Sequence, residues 1–261
     1  MLVEHTLFGI RDKVQIAIDR IRQFEPPEGY YVAFSGGKDS CVTLDLVKHA
    51  GVKYDAHYNL TTVDPPELVQ FIRREHPEVE RHLPKETMWQ LIARKGDLPL
   101  RHRRWCCAVL KECGGKGRLV ITGVRWEESS RRKRRAMVEQ CYTDNSKRYF
   151  HPIIDWTYHD IWEYIRSVKL PYCSLYDEGF ERLGCVMCPM QHDISRDATR
   201  WPKIYEAYKM ATQMGWDILK KRKDAKGEIM TWQSAEDWFN WWAYDRDGKG
   251  KENPDQTVMF E

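Results

Sequence analysis

Tyr30-Tyr31-Val32-Ala33-Phe34-Ser35-Gly36-Gly37-Lys38-Asp39-Ser40 is the stretch that decides the fold. Its apolar first half reads as a short strand, and Val42, Leu44, Leu46 and Val47 mark a helix that Gly51 closes. A loop that leaves a parallel strand and opens a helix points backbone N–H groups outward, and the helix dipole adds positive character. Gly36 and Gly37 permit close backbone approach, Ser35 and Ser40 offer hydroxyls, and Lys38 adds charge. The spacing is not that of G-x-x-x-x-G-K-[ST], because the second glycine and the lysine arrive too early. A Gly-rich turn capped by Asp39 would share the two glycines. Six ordered positions after an apolar strand favour a phosphate-binding loop over that plainer turn.

Working outward, residues 5–23 place Leu7, Ile10, Val14, Ile18 and Ile21 at helical spacing. Strands are expected at 54–60, 79–83, 119–124 and 150–154. Helices are expected from Asp64, a candidate cap, to about His76, at 87–95, and after Thr157. The alternation implies an α/β, doubly wound, mostly parallel sheet with the phosphate loop after the first strand, plus a C-terminal aromatic-rich helical extension. The expected ranges are an N-terminal helix over 1–27, a nucleotide-binding domain with the cysteines over 28–192, a helical extension over 193–244, and a mobile tail over 245–261.

Charged residues make up 31% of the 261 positions, and no apolar run approaches the roughly 18 residues of a membrane span. No membrane partner is expected, and the N-terminus lacks the pattern of a secretion signal, which favours the cytoplasm. A net charge of +3 argues for nucleic acid only where the basic residues cluster. They do so at Arg101-His102-Arg103-Arg104 and at Arg131-Arg132-Lys133-Arg134-Arg135, runs that form either solvated faces or a phosphate-holding rim. The C-terminal tryptophans fit packed helices better than a base-stacking platform.

Eight cysteines in a chain with this character suggest metal ligation or thiol chemistry before disulfides. Cys106 and Cys107 are adjacent, and Cys185-Val186-Met187-Cys188 is a C-x-x-C followed by proline. Two thiolate pairs suit a tetrahedral zinc or an iron–sulfur cube. Adjacent cysteines strain a single ion but can reach neighbouring irons, which favours [4Fe–4S]. Cys41 reads as a buried helix residue, and Cys113, in a Gly-rich loop, as a candidate sulfur carrier.

The segment Ala33–Ser40 resembles the pyrophosphate loop of the adenine nucleotide alpha-hydrolase superfamily, which holds the phosphates of ATP or of an adenylyl sulfate. Residues 104–111, Thr122-Gly123-Val124-Arg125 with 128–132, 151–156, 170–172, 175–176 and 184–189 resemble the sulfonucleotide (adenylyl-sulfate) reductase family. That resemblance implies that Cys106, Cys107, Cys185 and Cys188 ligate a [4Fe–4S] cluster beside the nucleotide phosphates. It also places Gly123 and Arg125 next to the loop residues Ser35, Gly36, Gly37, Lys38, Asp39 and Ser40.

Reductases of the family use a further cysteine in a Glu-Cys-Gly segment, and no cysteine follows Cys188 in these residues. The departure points to the related branch that consumes ATP, releases pyrophosphate and moves sulfur onto nucleic acid, as in DNA phosphorothioation and tRNA thiolation. The expected enzyme is an ATP pyrophosphatase with Lys38, Asp39 and Arg125 catalytic, Mg²⁺ as cofactor, and a cysteine desulfurase or another sulfur donor as partner. Adenylyl-sulfate reduction by a thiol, and nucleotide binding without turnover, are the two alternatives.

Overall fold

The structure is a computed structural model that describes residues 2–7, 9–142, 144–191 and 194–245. The expected N-terminal helix is corrected in its first half. Val3–Thr6 (β1) and Gly9–Asp12 (β2) form an antiparallel hairpin, and α1 spans only Lys13–Gln23. Asp12 starts that helix by accepting the N–H groups of Val14 and Gln15 at 2.9 and 3.1 Å. Leu7 and Ile10 are exposed, so their spacing coincides with the helical period without joining the buried stripe of Ala17 and Ile21.

The main sheet begins with β3 (Tyr30–Ala33), which leads into α2 (Lys38–Ala50), β4 (Tyr54–Asn59), α3 (Pro66–Glu75) and β5 (Glu80–His82). After α4 (Met88–Lys95) come β6 (Leu119–Ile121), β7 (Val138–Gln140), β8 (Arg148–Phe150) and α5 (Tyr158–Ser167). The six strands lie in the order β5-β4-β3-β6-β8-β7, and only β7 runs antiparallel to its neighbour. The chain winds outward from β3 through β4 to β5, then returns to lay β6 and β8 on the other side. The fold is therefore the expected doubly wound, mostly parallel α/β type, with the Gly-rich loop after the first strand of this sheet. Strand order reverses between β3 and β6, which opens a crevice at the carboxyl ends of the strands.

Two local expectations fail for identifiable reasons. Asp64 does not cap α3; Pro65 is the N-cap and no side chain accepts there. The strand expected at 150–154 ends at Phe150, because Ile154 turns back to bond the His151 carbonyl at 3.2 Å. Thr157 does cap α5, in a reciprocal box with Asp160, and Thr87 caps α4 with Gln90.

The chain forms two compact units. One holds Met1–Leu60, Asp64–Leu83 and Leu110–Gly184, and the other holds Thr61–Val63, Pro84–Val109 and Cys185–Glu261. This grouping differs from the contiguous ranges expected, because α4 packs along α7 (Pro202–Ala225) of the C-terminal helices, which also include α6 (Ser195–Arg200) and α8 (Ala235–Asn240). The core of the first unit is built by Val32, Leu44, Leu46, Ile72, Ile121 and Phe150. The second buries Trp216, Trp238, Phe239 and Trp242, and the Trp242 indole N–H donates to the Pro99 carbonyl at 2.7 Å. These tryptophans serve packing. Residues 246–261, most of the expected tail, lie outside the described residues. Among the described residues, no helix is long and apolar enough to cross a membrane.

Candidate functional site

At the strand-order reversal of the first unit lies a cavity of about 410 Å³. Ser35, Gly37, Lys38, Asp39, Ser40, Gly123 and Arg125 all line it, with Gly36 turning behind. Gly36 has φ +71°, and a Cβ there would press on Ile72 and Leu68 side chains at 2.7 Å. Gly37 is the N-cap of α2 and offers no side chain to its first-turn N–H groups. A Cβ on Gly123 would stand 2.7 Å from the Asp39 carbonyl oxygen, so only glycine lets the loop that leaves β6 approach the first turn of α2 this closely. Two loops distant in sequence thus share one wall.

Charge in this cavity centres on Asp39. Arg125, 3% exposed, donates from Nε to Asp39 Oδ1 at 2.6 Å, while its Nη1 donates to Glu127 at 3.0 Å and to the Trp156 carbonyl at 3.3 Å. Burial would lower the guanidinium's pKa, but the carboxylates of Asp39, Glu128 and Glu127 hold it above its ordinary value. The ammonium of Lys38, also buried, lies 3.2 Å from Asp39 Oδ2 and donates to the Glu181 carbonyl at 3.3 Å. It stands over the rings of Tyr158 and Tyr176, 5.3 and 5.5 Å from their centroids. The Tyr176 hydroxyl accepts the Lys38 N–H at 2.9 Å, and burial pushes this phenol far above its ordinary range, keeping it neutral. Ser40 donates to the Gly37 carbonyl at 2.8 Å and accepts the Ser35 N–H at 3.3 Å, which braces the loop. A helix N-terminus flanked by two buried cations can hold an anion.

All four paired cysteines belong to the second unit. Cys106 and Cys185 are buried, and Cys107 and Cys188 are half-buried. A hydrogen bond with Cys107, burial, and the nearby Cys107, Cys185 and Cys188 together hold the Cys106 thiol far above its ordinary pKa. The C-x-x-C turn is a built loop: Val186 N–H donates to the Val63 carbonyl at 2.8 Å, and Met187, at φ +57°, donates to buried Asp197 at 2.7 Å. Two buried and two half-buried thiols of one unit are the donor type that a zinc ion or an iron–sulfur group takes.

A model of the phosphoadenosine phosphosulfate reductase domain matches residues 29–191. The chain belongs to that family. The chain is 30% identical over 186 residues to an adenosine 5'-phosphosulfate reductase of Oceanobacillus iheyensis, covering 65% of this chain and 75% of that protein. It is 31% identical over 196 residues to an uncharacterised protein of Methanocaldococcus jannaschii, covering 68% of this chain and 40% of that protein. The chain thus spans less than half the length of that archaeal relative. Among solved structures, the phosphoadenylyl-sulfate reductase of Candida auris shares the fold, with a TM-score of 0.50 and 19% identity over 65% of this chain and 87% of that one.

Within this family member, the sequence reading overlooked Tyr158 and Tyr176 as walls around Lys38. An aromatic residue at the start of a helix, as Tyr158 is, or in a short turn, as Tyr176 is, carries no spacing signal of its own. The two basic runs fall in different units. In the first, Arg101 donates to the Pro189 carbonyl at 3.1 Å and Arg103 pairs with Asp97 at 2.6 Å, whereas His102 and Arg104 are exposed. In the second, Arg132 pairs with Glu128 and Arg135 with Glu139, whereas Arg131, Lys133 and Arg134 are exposed. Cys41 is buried and Cys113 exposed.

Proposed function

We propose that the chain is an ATP pyrophosphatase-type enzyme that adenylylates an acceptor oxygen, which sulfur then displaces, and that the acceptor is a nucleic acid. The observation that supports this reading best is Asp39, a carboxylate inside the anion-binding cavity, bridging Lys38 and Arg125. A carboxylate there disfavours phosphate unless a cation joins them, and a metal-chelated triphosphate brings one. Mg²⁺ bound with ATP supplies charge neutralisation and alignment for in-line attack. Asp39 is the ligand this chain offers to it.

In this reading the outer phosphates rest on the first-turn N–H groups of α2 and on the Ser35–Ser40 loop. The acceptor oxygen attacks the α-phosphorus, the bond to the bridging oxygen of the β-phosphate breaks, and the acceptor's proton passes to solvent. Lys38 and Arg125 stabilise the charge that grows on departing pyrophosphate. Cys106, Cys107, Cys185 and Cys188 would hold a [4Fe–4S] cluster, which supplies a cross-link of the loops or a relay for sulfur. A cysteine desulfurase is the kind of donor required, with a thiol reductant supplying the two electrons that release its persulfide sulfur as sulfide, and AMP leaves as that sulfur displaces the activated oxygen. Exposed Arg131, Lys133 and Arg134 suit a polyanionic acceptor.

Adenylyl-sulfate reduction is the second reading, favoured by the name of the Oceanobacillus iheyensis relative. Anaerobic full-length chain is incubated with ATP and, separately, with adenylyl sulfate plus a thiol reductant. The expected result is AMP and pyrophosphate from ATP, formed faster with nucleic acid and a sulfur donor. Sulfite without ATP cleavage establishes the reductase instead, and tight binding without either product leaves a non-catalytic nucleotide-binding subunit.

A further inference from the structure

We propose that His57, Glu80 and His82 form a binding site for a divalent transition-metal ion of the zinc class, separate from the cysteines. β4 and β5 are parallel neighbours in the register His57 to Glu80 and Asn59 to His82. Alternation along each strand therefore puts residues 57, 80 and 82 on one face of the sheet. Their ligand atoms all lie within 4.8 Å of one another. His57 Nδ1 is 2.8 Å from His82 Nε2 and 3.5 Å from Glu80 Oε2, and His82 Nδ1 is 3.7 Å from Glu80 Oε1.

The surroundings of His57 aim it. Its Nε2 bonds the Asp55 carboxylate, which Arg118 holds at 2.5 Å while also donating to the Gly29 carbonyl at 3.1 Å. Its ring stacks on Tyr31 with centroids 4.2 Å apart and planes 9° from parallel. A carboxylate accepts only, so Nε2 carries the proton and Nδ1 turns its lone pair toward His82. A carboxylate behind the imidazole is the arrangement that fixes the tautomer and raises the basicity of metal-ligating histidines. At metal–ligand bonds of about 2.0–2.1 Å, two ligands on one ion stand about 2.9–3.4 Å apart, so a shift of a few tenths of an ångström admits the ion between the imidazoles. Two neutral imidazoles and a carboxylate are a zinc-type donor set that leaves a coordination position open.

The site is reachable from one side. The His57 side chain is only 10% exposed, but those of His82 and Glu80 are 38% and 66% exposed. His57 also walls a cavity of about 180 Å³ that touches Ser35, so the ion would sit near the Gly-rich loop.

The test titrates anaerobically prepared full-length chain with Co²⁺ and reads its visible spectrum. One ion is expected to give d–d bands without the thiolate-to-cobalt charge transfer that the cysteines would produce, and Zn²⁺ should displace it. His82→Ala and Glu80→Gln, both at accessible positions, should weaken Co²⁺ binding at least tenfold. Asp55→Asn, which leaves all three ligands in place, should weaken it by about tenfold through His57 alone. His49→Ala, an exposed histidine elsewhere, should change nothing. Co²⁺ uptake that is absent from the wild-type chain, unchanged in His82→Ala and Glu80→Gln, or dominated by thiolate bands overturns the assignment. Circular dichroism of each variant separates loss of ligand from loss of fold.

Discussion

At the scale of single residues, the cavity is governed by how Asp39 is paired with its two buried cations. Arg125 is buried against Asp39 and Glu127, so its removal leaves Asp39 with Lys38 alone and takes from Glu127 the guanidinium it accepts from. Breaking a buried pair from one side costs more than removing both partners, of order 3 kcal/mol. Arg125→Ala should therefore destabilise the chain by about that amount. Adding Asp39→Asn should restore part of the loss, and chemical denaturation of the four chains of this cycle measures the coupling. Simple additivity would show that the pair is not coupled. His151 offers a second residue-level test. It is fully buried, 2.7 Å from the Thr122 hydroxyl, and burial, outweighing Glu139, depresses its pKa to about 4. The unfolded imidazole titrates near 6.5, so between about 6.5 and about 4 the unfolded chain binds more protons. The stability tied to neutral His151 is complete above about 6.5 and is lost as pH falls toward about 4. His151→Gln should flatten the dependence of Tm on pH in that window; an unchanged slope would assign it to other groups. At this scale the run from Ser35 to Ser40 is readable because its order is local, whereas Gly123 and Arg125, over eighty residues on, were brought to it only by the family resemblance. The sequence concealed His57, Glu80 and His82, whose convergence depends on the register of two strands 20 or more residues apart.

At the scale of elements, the strand–loop–helix at β3 and α2 was legible because an apolar run, two glycines and a C-terminal Gly51 all agree. The β1–β2 hairpin was not, since Leu7 and Ile10 happen to match the helical period although both are exposed. β7, a three-residue edge strand, was missed because so short a segment contains hardly one alternation. Nor does periodicity show which helices meet. α4 and α7 approach through Gly215, where a Cβ would stand 2.9 Å from the Ile92 carbonyl oxygen and 3.4 Å from Gly96 Cα. Both obstacles are backbone, so the helices must separate to admit a methyl group. Gly215→Ala should destabilise the chain by about 1–3 kcal/mol despite alanine's better helix propensity. A midpoint shift in urea reads the sign directly, and stabilisation would mean that the helix contact is looser than its geometry.

At the scale of the whole molecule, the two units divide the proposed chemistry between them: the phosphate cavity belongs wholly to one and the four paired cysteines wholly to the other. The sequence order hides this division, because the chain leaves the first unit for Thr61–Val63, again for Pro84–Val109, and a last time after Gly184. A cluster on Cys106, Cys107, Cys185 and Cys188 would join two segments of the second unit that are separated by nearly eighty residues. Its binding energy would therefore act as folding energy for that unit, as metal binding does in small metal-dependent domains. Anaerobically purified chain should be brown and carry about four irons, the content of one cube. Removing the iron should raise hydrogen exchange in α4 and α7 while leaving the amides of β3 and β6 protected, since neither strand belongs to the unit that carries the cysteines. Cys185→Ser should reproduce that pattern and lower the iron content, with ATP affinity little changed. Stoichiometric zinc in place of iron would make the centre a structural zinc site, and uniform loss of protection in both units would show that the chain unfolds as one cooperative body.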